Sequence, residues 1–213
     1  AAYIDSLLEA RKTMSEELSS TLLPIADDVK IQVEFNPARV AEYRLIGYET
    51  RMLRREDFND DRVDAGDIGA GHTVTAIYEI NPVGAKQHRL DPLRYQSERD
   101  RTMPSTSARA DEIAFVKLRY KLPGEKTSRL IEQPVLSADA LAKIDAAPAE
   151  QRFAIAVAAF GQRLRGESAV DNFSYANIAE LANAARATDP EGYRAEFVRL
   201  VRMAETLGAV AQR

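Results

Sequence analysis

The chain has 213 residues, of which 45% are hydrophobic and 29% charged, and its formal net charge is −4. This length suffices for one large domain or two small ones with a substantial core. The absence of cysteine excludes disulfides, thiolate zinc sites and cysteine nucleophiles. No segment has the one-sided basicity that phosphate neutralisation requires, which argues against nucleic-acid binding. No apolar run reaches the ~20 residues of a membrane-spanning helix.

The first predicted element is an amphipathic helix over residues 6–23. Apolar residues recur there at spacings of three and four, which is the pattern of one helical face. They are Leu7, Ala10, Met14, Leu18 and Leu22. Pro24 predicts that the helix ends or bends just before it. An uncovered stripe of this size would promote association, so we expect the sheet or, in a homodimer, a second copy to cover it.

Residues 29–136 change to the two-residue period of β-strands. The segment VKIQVEF (29–35) alternates strictly between apolar and polar residues. Further strands are predicted within residues 40–49, 72–80, 112–122 and 128–136, with Tyr43 and Val74 among the inward side chains. Strands separated by turns favour an antiparallel β-sandwich over βαβ units. The polar stretch 81–111 is too long for a hairpin and is predicted to be a loop excursion.

From Ser137 onwards the helical period returns. Ser137 is predicted to cap a short helix, and Ser174 to cap the helix YANIAELANAAR. Inward stripes are predicted on three longer helices, including Val157 and Leu164, Ile178 and Leu181, and Leu200 and Leu207. The predicted fold is therefore α+β. It has a leading region (1–28) that contains the amphipathic helix, an antiparallel β-sandwich (29–136), and a C-terminal helical region packed on the sandwich (137–213).

The acidic segment EDFNDDR partly resembles a calcium-binding loop. Asp57, Asn59 and Asp61 have the alternate spacing of EF-hand ligands. Arg62, however, stands where that loop needs glycine, and Ile68 where it needs a bidentate glutamate, so an EF-hand is excluded. A different calcium geometry remains an alternative to a solvated acidic loop.

The glycines of AGDIGAGH do not form a phosphate-binding motif. Gly66, Gly69 and Gly71 do not spell GxGxxG, and the next predicted element is a strand. Without a helix N-terminus, the main anion-binding element of such a motif is missing. We interpret these glycines as positions that permit positive φ in a bend or bulge.

His72 and His88 are the only imidazoles of the chain. His72 lies near Asp64 and Asp67 in sequence, so a carboxylate-oriented base is the alternative to a structural histidine. Adjacent pairs such as Asp27 and Asp28 point in different directions and make poor acid–base pairs. The cluster Arg51, Arg54 and Arg55 precedes two acids and is interpreted as an ion-paired edge. No catalytic, cofactor-binding or metal-ligating residue is assigned, and no enzymatic activity is predicted.

Three long runs carry a family resemblance: residues 29–80, FAIAVAAFGQRLRG (153–166) and DPEGYRAEFVRLVRMAETL (189–207). They resemble the segment that follows the von Willebrand factor type A domain in bacterial proteins often labelled calcium-activated chloride channel-like. Residues 1–28 resemble the last strand and helix of that type A domain. The chain opens without methionine, and we expect it to be a fragment of a longer protein.

The resemblance implies a bacterial cell-envelope protein, periplasmic or surface-exposed, with a lipoprotein-type anchor. Type A domains hold a divalent cation with a DxSxS loop, which does not occur here. The resemblance therefore implies no cation ligand in this chain. The leading hypothesis is a non-enzymatic scaffold that supports a type A domain and binds protein partners. The alternatives are a metal-dependent hydrolase using the 57–72 loop, and a glycan- or peptide-binding sandwich using that loop or the 81–111 excursion.

Overall fold

The computed structural model describes residue 10 and residues 23–47, 53–63, 65–85 and 109–211, with side chains described to residue 208. The described strands are β1 (Pro24–Phe35), β2 (Val40–Ile46), β3 (Gly66–Gly69), β4 (Ile77–Pro82), β5 (Glu112–Lys121) and β6 (Arg129–Leu136). The described α-helices are α1 (Ala149–Leu164), α2 (Tyr175–Ala184) and α3 (Tyr193–Ala211). The predicted α+β class is therefore confirmed.

Two predicted elements fall largely outside these residues. Of the leading helix 6–23, only Ala10, which is helical, and Leu23 are described. Most of the 81–111 excursion, residues 86–108, also lies outside. The chain divides into two compact units, Ala1–Ala140 and Leu141–Arg213.

The strands form a four-stranded sheet of order β3-β1-β5-β6 and a two-stranded sheet of β2 and β4. Every pair is antiparallel, as predicted. In the larger sheet Ile31 lies opposite Leu118, and Leu118 lies opposite Ile131. These three residues form an apolar row across β1, β5 and β6, because directly opposite side chains share one face of a sheet.

Aromatic rings join the two sheets. Phe35 of β1 stacks on Tyr43 of β2 with centroids 4.4 Å apart, and it meets the edge of Tyr78 of β4 at 5.3 Å. Tyr43 is nevertheless 61% exposed, since one ring covers only one of its faces. The prediction that Tyr43 points inward is wrong. It is also wrong for Val74, which is exposed because β4 begins only at Ile77.

The first strand begins earlier than predicted, at Pro24, and its extra residues pair with β3. The glycine segment predicted as a bend is partly this short strand. Gly66 and Gly69 are extended, and only Gly71 of the three glycines has positive φ, at 77°. The sequence GDIG shows no alternation of apolar and polar residues that would predict a strand. This agrees with the short length of β3 and with the register shifts in its ladder.

The helical unit has a core of small residues. Ala156, Ala159, Ile178, Ala182 and Val201 are buried where α1, α2 and α3 meet. The stripe of α2 is confirmed, but Val157, Leu164, Leu200 and Leu207 are exposed. The alanines bring the helices together along a narrow face, which leaves the outer edges of the α1 and α3 stripes uncovered.

Local capping agrees only in part with the predictions. Ser174 Oγ accepts a hydrogen bond from the Asn177 N–H at 3.1 Å, which confirms the predicted cap of α2. The helix predicted after Ser137 is a single 3-10 turn, Ser137–Asp139. Its carboxylate cap is Asp139, which accepts from the Leu136 N–H at 3.0 Å.

Candidate functional site

The acidic segment that partly resembles a calcium-binding loop is held on the polar face of β1 and β5 by two lysines. Lys30 is only 3% exposed. It donates from Nζ to the carbonyl oxygens of Asp57 (3.4 Å) and Asp60 (2.5 Å). Lys121 Nζ donates to the Asp61 carbonyl at 2.8 Å. Backbone carbonyls are ligands of the kind that calcium loops use, and here they face ammonium groups of the protein itself.

Asp28 connects this segment to the sheet. It lies at a bulge of β1 with φ of 52°, in the left-handed region that aspartate tolerates. Its N–H donates to Asp67 Oδ1 at 3.2 Å, and its Oδ1 accepts from the Ala65 N–H at 3.1 Å. Its Oδ2 accepts from Lys121 Nζ, and both side chains are largely buried. The sequence pattern indicates Asp28 only as half of a poor acid–base pair and gives no local sign of this structural role.

Arg119 closes the cluster on the β5 side. Its Nη1 donates to Ser128 Oγ at 2.6 Å, and its Nη2 donates to Asn59 Oδ1 at 3.3 Å. The guanidinium also lies 3.6 Å from the Asp61 carboxylate and 5.9 Å from the centre of the buried Phe58 ring. Hydrogen bonding from Ser128 and the nearby cations lower the pKa of Asp61.

Asp60 is paired within the segment itself. Arg62 donates from Nε to Oδ1 at 3.0 Å and from Nη2 to Oδ2 at 2.9 Å, and its backbone N–H donates to Oδ1 at 3.0 Å. These hydrogen bonds lower the pKa of Asp60 from 3.8 to about 2. The bidentate geometry is the strong form of an arginine–carboxylate pair.

The three side chains with EF-hand-like spacing, Asp57, Asn59 and Asp61, do not converge on one point. The Asp57 carboxylate accepts from Arg54 Nε at 3.0 Å, while Asn59 and Asp61 contact Arg119. Within the described residues no three His, Asp or Glu side chains lie close enough together to hold a metal ion. The Arg54 pair agrees with the interpretation of the arginine cluster as an ion-paired edge.

His72 is exposed, and its backbone N–H donates to the Gly69 carbonyl at 3.1 Å. Asp67, one of the carboxylates considered as its orienting group, instead accepts from the Asp28 N–H. The structure therefore supplies no oriented base at His72 from Asp67. Asp64, the other carboxylate of that hypothesis, and His88, the second imidazole of the chain, lie outside the described residues.

A groove of about 470 Å³ lies farther along the polar face of the sheet. Lys117 Nζ lies 3.9 Å from Glu132 and 5.7 Å from the centre of the Phe115 ring. The volume is within the range of small-ligand sites. The groove adjoins residue 109, where the predicted excursion returns to the sheet, and its lining includes Glu34, Asn36, Arg109, Glu112, Phe115, Lys117 and Glu132.

These features define a two-unit α+β protein whose charged segment is bound to its own sheet. Residues 20–207 match the family described as "Uncharacterized protein YfbK, C-terminal", and the chain belongs to this family. It is 44% identical over 211 residues to "Uncharacterized protein YfbK" of Escherichia coli (strain K12). The aligned residues make up 99% of this chain and 35% of that relative. The chain therefore spans about a third of the relative's length. The coarser part of the predicted resemblance, the C-terminal region of a bacterial protein, is confirmed.

No solved structure matches the chain. A separate finding concerns membranes: none of the helices within the described residues combines the length and the apolar character needed to cross a bilayer.

We predict that Asp28→Asn lowers the free energy of unfolding by about 3 kcal/mol, because it removes the carboxylate from the largely buried Lys121 ammonium. The amide side chain still tolerates the left-handed backbone. Urea unfolding followed by circular dichroism measures the change. Asp27→Asn is the matched control, and we expect an effect within about 0.5 kcal/mol. Equal losses in the two variants would contradict the role of Asp28.

We predict that the Asp60 carboxyl titrates near pH 2 and that its pKa moves towards 3.8 in Arg62→Gln. Because the pKa is depressed in the folded chain, the stabilisation from this pair is present above pH 3.8 and is lost as the pH falls through about 2. Carboxyl chemical shifts in an NMR titration report the pKa directly. An unchanged Asp60 midpoint in the variant would show that Arg62 is not the cause.

Proposed function

We propose that this chain is a non-enzymatic scaffold module that supports a von Willebrand factor type A domain in a bacterial cell-envelope protein. The observation that carries the proposal is that residues 57–63 and 65–67 take part in internal hydrogen bonds and ion pairs. A reactive centre needs groups aimed at a site that a substrate can occupy. Here Lys30, Arg119 and Lys121 donate to carbonyl, carboxylate, amide and hydroxyl oxygens of the same fold.

The arrangement favours rigidity over chemistry. Lys30 and Lys121 bind backbone carbonyls of residues far along the chain, so they fix the path of the segment across the sheet. Hydrogen bonds from charged donors contribute roughly 1.5–3 kcal/mol each. A metal-dependent hydrolase that used the same segment would have to displace these ammonium groups from the carbonyls first.

The apolar row supports a protein partner for the scaffold. Ile31 and Ile131, at its two ends, are 52% and 53% exposed although they lie on the apolar face of the sheet. With Leu118 between them they form a continuous apolar row, and contiguous apolar surface is typical of interaction sites. Such a surface fits a module whose task is to contact another protein.

The proposal includes the type A domain and the cell envelope because residues 1–28 and the three long runs resemble that bacterial family. The chain spans 35% of the Escherichia coli relative, which leaves room in that relative for a second domain. The divalent cation belongs to the type A domain in this proposal, and no residue of the described chain is assigned to it.

The scaffold proposal predicts that the remainder of the Escherichia coli relative is less stable without the region that matches this chain. We expect a lower melting temperature and faster amide hydrogen exchange in the remainder, because a supporting interface stabilises the native state of both sides. The intact relative is the reference, and a variant lacking only the part that matches residues 141–213 tests the helical unit separately. Unchanged melting and exchange in the remainder would contradict a supporting role.

A second candidate function is peptide or glycan binding in the groove beside Lys117. The observation that favours it is the combination of an aromatic ring, a lysine and three glutamates around a groove of about 470 Å³. Aromatic rings with a few polar groups are typical of ligand sites.

The groove hypothesis predicts that deleting residues 86–108 abolishes binding to peptide or glycan arrays without lowering the melting temperature. Phe115→Leu should weaken binding by about tenfold, because it removes the ring surface that a ligand would stack on. Leu130→Ala is the control, because it truncates a side chain that is 45% exposed on the same face but does not line the groove. Array binding that survives both changes would exclude the groove as the site.

A further inference from the structure

Strand β6 is the edge of the four-stranded sheet in the described part of the chain, since the strand order ends with it. An edge strand presents unpaired N–H and C=O groups to other chains, and proteins usually protect such edges. The two ends of β6 are protected but its middle is not, so the backbone groups that face outward there indicate where another strand can pair.

The hydrogen bonds at the end of β6 show which residues face outward. The Ser137 N–H donates to Asp111 O at 2.7 Å, on the side of β5. The preceding Leu136 N–H instead donates to the Asp139 carboxylate at 3.0 Å. Successive residues of a strand present their backbone groups to opposite sides. The even-numbered residues of β6 therefore face away from β5.

Both ends of this outward edge are capped. At the start, the Ser128 N–H donates to Asp61 Oδ2 at 3.5 Å. At the end, Pro134 has no N–H, and its carbonyl accepts from Gln133 Nε2 at 3.2 Å. Within the described residues, Leu130 and Glu132 are the two outward positions between these caps, and each presents an N–H and a C=O group.

We propose that β6 pairs antiparallel with β6 of a second copy of the chain, about a two-fold axis at Ile131. In this register Leu130 lies opposite the partner's Glu132, and each such pair exchanges both backbone hydrogen bonds. Ile131 lies opposite the partner's Ile131. The two four-stranded sheets become one continuous sheet.

Side-chain chemistry favours a second copy over an unrelated extended peptide. The two-fold axis places the two apolar rows end to end, so that the exposed Ile131 side chains cover each other. The same rotation places Gln133 opposite the partner's Arg129, an amide oxygen against a guanidinium donor. A two-fold interface uses the same patch on both copies and closes after two. The caps restrict pairing to one register.

The absence of cysteine from the chain allows a direct test of this register. Ile131→Cys places a single thiol on the axis, where the two Cα atoms are about 4.5 Å apart, within the range for a disulfide. Gln133→Cys is the matched control on the same strand and face. Its two thiols are offset by four residues, roughly 13 Å. On mild oxidation we expect Ile131→Cys to form a disulfide-linked dimer under conditions in which Gln133→Cys forms no disulfide-linked dimer.

Sedimentation equilibrium of the cysteine-free chain provides the second arm of the experiment. We expect a monomer–dimer equilibrium that Ile131→Lys weakens at least tenfold, because two like charges meet on the axis. Leu207→Lys, which introduces the same charge at a 63% exposed leucine of α3, should leave the equilibrium unchanged. Melting curves establish that both variants are folded.

Four outcomes would overturn the proposal. The first is a chain that remains monomeric at all concentrations, and the second is equal cross-linking at positions 131 and 133. The third is a dimer that survives Ile131→Lys, which would place the interface elsewhere, for instance on the stripe of residues 6–23. The fourth is a β6 edge that binds an unrelated extended peptide but never a second copy.

Discussion

The larger sheet depends on the bulge at Asp28. Strand β1 has to pair with β3 on one side and β5 on the other, and the register shifts of both ladders occur around this residue. The left-handed backbone turns the Asp28 carboxylate towards Lys121 while its N–H reaches Asp67. Burying two charges is costly unless they are paired and hydrogen-bonded. The pairing therefore selects one path for the chain between β2 and β4.

The two faces of the four-stranded sheet carry different kinds of contact. On the polar face, Lys30, Arg119 and Lys121 hold the acidic segment over one part, while Lys117 and Phe115 line the groove on another. On the apolar face, Phe35 is covered by Tyr43 and Tyr78, whereas the apolar row reaches solvent at both ends. Polar contacts thus hold the acidic segment on one face of the sheet, and exposed apolar side chains lie on the other.

The sequence predicts elements whose pattern is long and regular. Alternation in 29–35 and 112–122 and the stripe of α2 identify β1, β5 and α2 because each repeats over several residues. Strand β3 cannot be predicted in this way, because four residues that include two glycines show no apolar period. Lys30 illustrates the other limit: its position in VKIQVEF predicts a solvent-facing side chain, yet it is buried. A segment about 30 residues away covers it, and no local pattern reports such a long-range contact.

The same ion-pair cluster also determines how much of the sheet edge is available. Lys121 holds the Asp61 carbonyl, Arg119 lies beside the Asp61 carboxylate, and that carboxylate accepts from the Ser128 N–H at the start of β6. The cap is therefore supplied by the segment that Asp28 and Lys121 fix. If the segment left the sheet, the uncapped edge would extend towards the β5–β6 turn, and pairing would no longer be confined to one register. Order in the acidic segment is thus a physical condition for a short, closed edge at β6.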